Sequence, residues 1–275
     1  MYLCVFKGND NSLSNLPVLE QQKKIYFASD VHLGSSALKH SRERELLFVS
    51  WLNEVKKDAA VIFLLGDIFD FWFEYKKVAP QGFVRVLGAI AQICDSGIPV
   101  HFFTGNHDVW VFDYLPRETG MIIHHEPFET ELFGKNFFLA HGDDLGKTDP
   151  KYQILTRIFH NRFAQWAFAK IHPDLSFRLA FLWSKKSRLA TGIDGPGFLG
   201  EDREHQIIFA KKKLKEKHFD YFVVGHRHIA LDFQLNENSK MIILGDWFKV
   251  CTYGVYDGKT FLLKEIINET LMKSK

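Results

Sequence analysis

Cysteine is scarce in this chain: Cys4, Cys94 and Cys251 are the only ones among 275 residues, scattered and odd in number. No CxxC pair and no disulfide framework can be drawn from them, which fits a reducing compartment. Long apolar runs are missing too, and none reaches the roughly 18 residues of a transmembrane helix. The opening "MYLCVFKGND" has six apolar residues before a lysine, too few for the apolar core of a secretory signal. There is no internal repeat, no low-complexity tract and little excess charge, with a formal net of +2. These absences lead to the expectation of a soluble cytoplasmic protein. What is abundant is apolar and aromatic residues, 46% and 15% of the chain, ample for a large core. The length suits one α/β domain carrying an insertion.

Residues 1–22 are polar and patternless and are expected to form an N-terminal arm. "KKIYFAS" (23–29), "AVIFLL" (60–65), "VHFF" (100–103), "NFFLA" (136–140) and "YFVV" (221–224) read as short strands buried on both faces. Ser41 is placed to cap a helix through "RERELLFVSWLNEVKK". A second helix is expected over about 80–95, stopped by Gly97 with Pro99 beyond it. Towards the end, "KMIILG", "TYGVY" and "FLLKEI" read as antiparallel strands with "DGK" as a hairpin turn. Strands alternating with helices imply a layered α/β core, here 23–149 with 200–275.

One block breaks this rhythm. Residues 141–226 separate two strand ends, far beyond an ordinary connection. Within 151–190 there are eight Lys or Arg and one acid, Asp174, so this stretch is +7. It is also rich in aromatics, with Ile154, Ile158, Phe159, Phe163, Trp166 and Phe168 at helical spacing. A bland reading is a helix pair packed on the core with a solvated basic face. The sharper one is a basic, greasy lid over a site, spanning 150–199, because the insertion interrupts two strands that end in polar residues.

Those endings recur five times. "FASDVHLG" supplies Asp30 and His32, "FLLGDIFDFW" Asp67 and Asp70, and "FFTGNHDVW" Asn106, His107 and Asp108. "FLAHGDD" supplies His141 and Asp143, and "VVGHRHIA" His226 and His228. Ligands of α/β sheets gather beyond the carboxyl ends of strands, so residues spread over two hundred positions should converge. Any one of these motifs is commonplace, and a lone buried histidine is more often a satisfied core residue than a ligand. Five in succession, each directly after a strand, are not. Asp, His and Asn without thiolate suit Mn²⁺, Fe²⁺ or Zn²⁺ in a reactive site rather than a structural zinc. Seven such ligands are too many for one ion and fit two ions about 3.5–4 Å apart sharing a carboxylate. Such a pair lowers the pKa of bound water and clamps the oxygens of an in-line phosphoryl displacement.

The order DxH, GDxxD, GNHD, HGD, GHxH resembles that of the calcineurin-like metallophosphoesterases, over about residues 23–250. The resemblance implies an αββα sandwich with a di-metal site at the sheet ends and a helical lid insertion. Carried over motif by motif, it implies one ion on Asp30, His32, Asp67 and His228, and a second on Asp67, Asn106, His141 and His226, with Asp67 as the bridge. It leaves His107 facing a phosphate oxygen and Asp108 orienting His107.

"GDIFDFWFEY", "HGDDLGKTDPKYQ", "LGDW" and the helical insertion are similar to the UDP-2,3-diacylglucosamine diphosphatases of lipid A synthesis. That similarity implies hydrolysis of a nucleotide-linked glycolipid to UMP and 2,3-diacylglucosamine 1-phosphate with two divalent ions, Mn²⁺ first among them. It also implies a peripheral place on the cytoplasmic face of the inner membrane and no nucleic-acid partner. Asn106, His107, His226 and Asp149 match substrate contacts, and Ser184, Lys185, Ser187 and Arg188 are further candidates on the insertion. The chain departs from the pattern at His107, where arginine is usual, and at Arg227, where threonine is. Two other readings are a nucleotide or nucleic-acid phosphodiesterase, in which the +7 insertion tracks a phosphate backbone, and a non-catalytic protein-binding scaffold. The scaffold reading is disfavoured because no ligand of the pattern is missing.

Overall fold

The computed structural model describes residues 23–35, 37, 38, 40–146, 150–191 and 197–266; the side chains of 150–153, 155, 183 and 185–191 lie outside the described set. The arm expected over 1–22 also lies outside the described residues. The chain begins with β1 (Lys24–Ala28), α1 (Ser41–Val55), β2 (Ala59–Leu65), α2 (Val84–Asp95), β3 (Val100–Phe103), α3 (Tyr114–Thr119) and β4 (Ile122–His124). It continues through β5 (Phe128–Leu132) and β6 (Lys135–Leu139) into three helices, α4 (Pro150–His160), α5 (Arg162–Phe168) and α6 (Pro173–Thr191). It closes with α7 (His205–Lys213), β7 (Tyr221–Val224), β8 (Ala230–Asn236), β9 (Ser239–Leu244), β10 (Thr252–Tyr256) and β11 (Phe261–Glu265).

The strands form two sheets, β11-β10-β1-β2-β3-β4 and β5-β6-β7-β9-β8. The strands that end in polar motifs lie inside their sheets, and β1, β2 and β3 are mutually parallel, as are β6, β7 and β9. Side chains alternate across each strand and so sort into layers. Ile25 and Phe27 of β1 join Phe63, Phe137, Val223 and Ile242 in a core between the two sheets. Tyr26 and Ala28 join Phe48, Trp51, Leu52 and Ile90 of the helices that cover the first sheet. Phe138, Phe222 and Met241 meet Ile207 and Ala210 of α7 on the outer face of the second. The result is an α-β-β-α stack. Among the described residues no helix is long and apolar enough to cross a membrane.

Three expectations need correction. Ser41 is not the cap of α1: His40 occupies that position in a left-handed conformation, and the Ser41 hydroxyl accepts instead from the Gly34 N–H at 3.2 Å. "KMIIL" does not belong with the two strands that follow it. It is β9, paired parallel with β7 and antiparallel with β8 in the other sheet, whereas β10 and β11 pair with each other beside β1. Within 150–191 there are three helices, not a pair.

Phe27 is wholly buried, its ring 5.3 Å from that of Phe63 and 6.0 Å from that of Phe137 across the sheet interface. Phe27→Ala should therefore lower the stability to unfolding by about 3–5 kcal/mol. Urea denaturation measures this, and a loss below about 1 kcal/mol would mean the two sheets do not depend on this contact.

Candidate metal centre

The five polar endings converge. Asp30, His32 and His228 form one cluster in which a potential ligand atom of each lies within 4.8 Å of the others, Asp67, His141 and His226 form a second, and His32, Asp67 and His107 form a third that shares a residue with each. The convergence rests on unusual backbone. Asp30, His32, Asp67, His226 and His228 all have left-handed φ, at 55°, 48°, 53°, 70° and 54°. Outside glycine such conformations cost on the order of 1 kcal/mol or more each and persist only where the surroundings impose them. Here the first two loops are stitched together. The N–H groups of Asp30, His32 and Leu33 donate to the carbonyls of Gly66, Asp67 and Ile68, and Asp70 N–H returns to the Leu33 carbonyl. Two glycines make room for the ligands. A Cβ at Gly105 would lie 2.2 Å from Asp67 Oδ1, and one at Gly225 1.9 Å from Ser29 Oγ and 2.5 Å from Asp30 Oδ2.

The donor atoms are spaced as edges of a coordination shell. His228 Nε2 lies 3.2 Å from both Asp30 Oδ1 and His32 Nε2. His141 Nε2 lies 3.4 Å from Asp67 Oδ2 and 3.3 Å from Asn106 Oδ1. Two donors held at about 2.1 Å by one ion, at tetrahedral to octahedral angles, lie about 3.0–3.4 Å apart. Asp67 Oδ2 stands between the clusters, 3.4 Å from His141 Nε2 and 3.7 Å from His32 Nε2, where one carboxylate could serve two ions. Both imidazoles are oriented for the task. His141 Nδ1–H donates to the Leu65 carbonyl at 2.8 Å, and His32 Nδ1 lies 3.3 Å from Asp70 Oδ1. Carbonyl and carboxylate oxygens can only accept, so each Nδ1 carries the proton and each Nε2 is left for an ion. The donor set and its spacing thus fit two divalent cations. When bound, these would supply a nucleophilic water at neutral pH and a clamp on the displaced oxygens.

The electrostatics agree. Burial alone would push the Asp30 carboxyl upward, but hydrogen bonds with His228 and His32 carry it below the usual carboxylate range. The same holds for Asp67, where burial is outweighed by the charges of His141 and His107. Burial works against the charged form of His141, yet Asp67 raises it well above an ordinary imidazole. Asp30 and Asp67 are thereby held as carboxylates in a dry setting, and the proton that Asp67 favours on His141 is the one a cation at Nε2 would displace.

Asp108 requires correction. It was expected to orient His107, but its carboxylate accepts four backbone N–H groups, those of Gly105 and Asp67 on Oδ1 and of Ile68 and Phe69 on Oδ2. It staples the loop bearing Asn106 to the loop bearing Asp67. The turn that places it there points it away from its neighbour, and His107 Nδ1–H is taken by the Asp70 carbonyl at 2.9 Å. His107 is half-buried, donates its own N–H to Asp67 Oδ1 at 2.9 Å and packs edge-on to His32 with ring centres 4.8 Å apart.

Ser184 is brought to the site, buried on α6, with its hydroxyl 3.0 Å from Asp70 Oδ2. Asp149 and the side chains of Lys185, Ser187 and Arg188 lie outside the described residues. Three contributors carried no assigned role in the sequence reading. Ser29 donates to Asp30 Oδ2 at 2.6 Å. Arg44, fully buried, donates to the His32 carbonyl at 3.0 Å. Asp70 serves His32, His107 and Ser184 at once, and its three-residue spacing from Asp67 was the available signal. Arg227 grips Glu204 through two nitrogens, Nε to Oε1 at 2.6 Å and a terminal nitrogen to Oε2 at 3.2 Å, anchoring the turn between His226 and His228 to the start of α7.

Residues 23–230 match the profile of the calcineurin-like phosphoesterases. The chain belongs to that family, and it is a hydrolase fold with a site suited to divalent metals. More particularly, it is 38% identical over 257 residues to a protein of Porphyromonas gingivalis named UDP-2,3-diacylglucosamine hydrolase, spanning 89% of this chain and 98% of that one. Proteins of the same name from Haemophilus influenzae and Neisseria gonorrhoeae are each 28% identical to it, over 82% and 81% of this chain and 92% and 89% of theirs.

Two outcomes follow from the geometry. Asp67→Ala should empty both ion positions, whereas Asp30→Ala should spare one; elemental analysis of the purified variants decides, and full occupancy in Asp67→Ala would end the bridging assignment. His107→Ala should keep both ions and lose on the order of 10²–10³ in kcat, as for one oxyanion contact. Loss of an ion in that variant would instead make His107 a ligand.

Proposed function

We propose that this chain cleaves the diphosphate of UDP-2,3-diacylglucosamine to UMP and 2,3-diacylglucosamine 1-phosphate, using two divalent cations, with Mn²⁺ first among Mn²⁺, Fe²⁺ and Zn²⁺. The observation that carries this reading is a cavity of about 650 Å³ whose residues include Asn106, His107 and His141 of the metal centre. One wall belongs to the helical insertion and the segments beneath it and is greasy: Phe71, Trp110, Phe159, Phe168 and Leu179. Other residues of the lining are polar, among them His124, His125, Asp143 and Asp144. A substrate with a diphosphate between a diacylated sugar and a nucleoside has the same three-part character. The acyl chains belong on the aromatic residues, the diphosphate beside Asn106, His107 and His141, and the nucleoside on the polar residues. Burial of each acyl CH₂ contributes about 0.8 kcal/mol, so the greasy wall can supply much of the discrimination against small diesters.

The outward surface of the insertion supports a second element of the proposal, docking on the cytoplasmic face of the inner membrane. Phe163 and Trp166 are 73% and 57% exposed, their rings stacked on each other at 5.6 Å, with Lys170 over the Trp166 ring. Ile158, Leu175 and Leu182 are exposed on the same three helices. Aromatic and aliphatic side chains among basic ones suit the boundary of an anionic bilayer. Trp166 therefore has its ring on the outside, while Phe181 packs near Phe71 and Phe177.

The deciding assay incubates the purified, Mn²⁺-loaded protein with UDP-2,3-diacylglucosamine and, separately, with bis-p-nitrophenyl phosphate. Release of UMP from the lipid at a kcat/KM far above that for the small diester is expected; no UMP release would overturn the proposal. For the membrane element, Phe163→Ser with Trp166→Ser should reduce sedimentation with phosphatidylglycerol vesicles several-fold, whereas undiminished binding would exclude this surface.

A further inference from the structure

We infer that Ser184 and Asp70 form a relay through which the seating of the helical insertion is read by the metal centre, so that the lid is a positioning element as well as a cover. The inference deepens the reading above and rests on it only in calling α4–α6 a substrate lid. Asp70 is buried at the end of the GDxxD turn, and among its contacts are ones from the lid, from His32 and from His107. Its Oδ2 accepts the Ser184 hydroxyl at 3.0 Å, from a helix 114 residues further along the chain. Its Oδ1 lies 3.3 Å from His32 Nδ1, and its backbone carbonyl takes His107 Nδ1–H at 2.9 Å. One residue therefore sets the orientation of a metal-ligand imidazole and of the imidazole that faces the substrate, while one of its carboxylate oxygens is held from the lid.

A buried carboxylate holds its rotamer because its lone pairs are committed. A serine in a helix ordinarily returns its hydroxyl to a carbonyl one turn back; this one spends it on Asp70. When α6 lifts, Oδ2 loses that donor, and one of the contacts that hold the carboxylate against His32 goes with it. The tautomer and ring orientation that point His32 Nε2 at an ion then loosen. Partners that orient a metal ligand from behind typically change metal affinity or activity 10–100-fold when removed. Two further tethers bring the insertion to the same place, Trp110 Nε1–H to the Phe159 carbonyl at 2.8 Å and Tyr75 to Ser176 through their hydroxyls. Of the three, Ser184 alone ends on a residue that also holds a site imidazole.

The test needs no substrate. The protein is loaded with Mn²⁺, and the rate of metal loss to a chelator is followed for the wild type, Ser184→Ala and Ser184→Thr. Ser184→Ala is expected to lose metal about tenfold faster, with Ser184→Thr, which keeps a hydroxyl, within about twofold of wild type. In turnover, Ser184→Ala should lower kcat on bis-p-nitrophenyl phosphate as well as on the lipid nucleotide. A wild-type rate of metal loss in Ser184→Ala, with only the KM for the lipid raised, would reduce Ser184 to a substrate contact and overturn the relay. So would a loss that threonine does not restore. Because metal loss is measured without substrate, the relay can stand even if the lipid nucleotide proves to be the wrong substrate.

Discussion

The crowding of Asp30 and Asp67 against His32, His141 and His228, with His228 alone among them partly exposed, is the constraint on which the rest of this molecule depends. Two buried carboxylates and three imidazoles within 3.2–3.8 Å of one another are expensive unless opposite charges compensate at the same spot. Much of the local structure serves that end. Parallel strands deliver the groups to one sheet edge, left-handed residues turn them inward, and Gly105 and Gly225 keep clear of the carboxylates. Asp108 and Arg44 hold the loops from behind without touching the place where ions would sit. Strain stored in five left-handed residues is sustained by two packed sheets beneath them, which is why the rigid part of the fold lies directly under the reactive part.

The legible part of the sequence was its periodicity interrupted by chemistry. Apolar runs that stop at Asp, Asn or His announced β1, β2, β3, β6 and β7 and the residues at their ends, because a strand buried on both faces can afford nothing polar until it leaves the sheet. The elements that were missed are wetter. β5 and β8 alternate half-buried with exposed residues at the edges of the second sheet, and β4 has three residues, so none makes a continuous apolar run. Asp108 was misassigned for a different reason. Adjacency to His107 suggests contact, yet consecutive residues in a tight turn point apart, and only the path of the chain shows that four N–H groups are waiting there. Ser184 could be marked as a candidate but not given a partner, since nothing local links positions 70 and 184.

The insertion has two faces with different chemistry. Its inner face places Phe159, Phe168 and Leu179 against the cavity, while its outer face exposes Phe163 and Trp166. A helix that only covered a core would show polar residues outward. Apolar residues on both sides suit a segment lying between a bilayer and a site that takes a lipid from it. The polar tethers on Tyr75, Trp110 and Asp70 fix where that segment rests.

The proposed metal centre depends on Asp67 serving two ions at once. The most direct measurement is electron paramagnetic resonance of the protein titrated with Mn²⁺ to two equivalents. A shared carboxylate oxygen predicts a spin-coupled Mn²⁺ pair, whose signal grows in as the second equivalent binds and is absent in Asp67→Ala. A spectrum that keeps the hyperfine pattern of isolated Mn²⁺ at two equivalents would contradict the account.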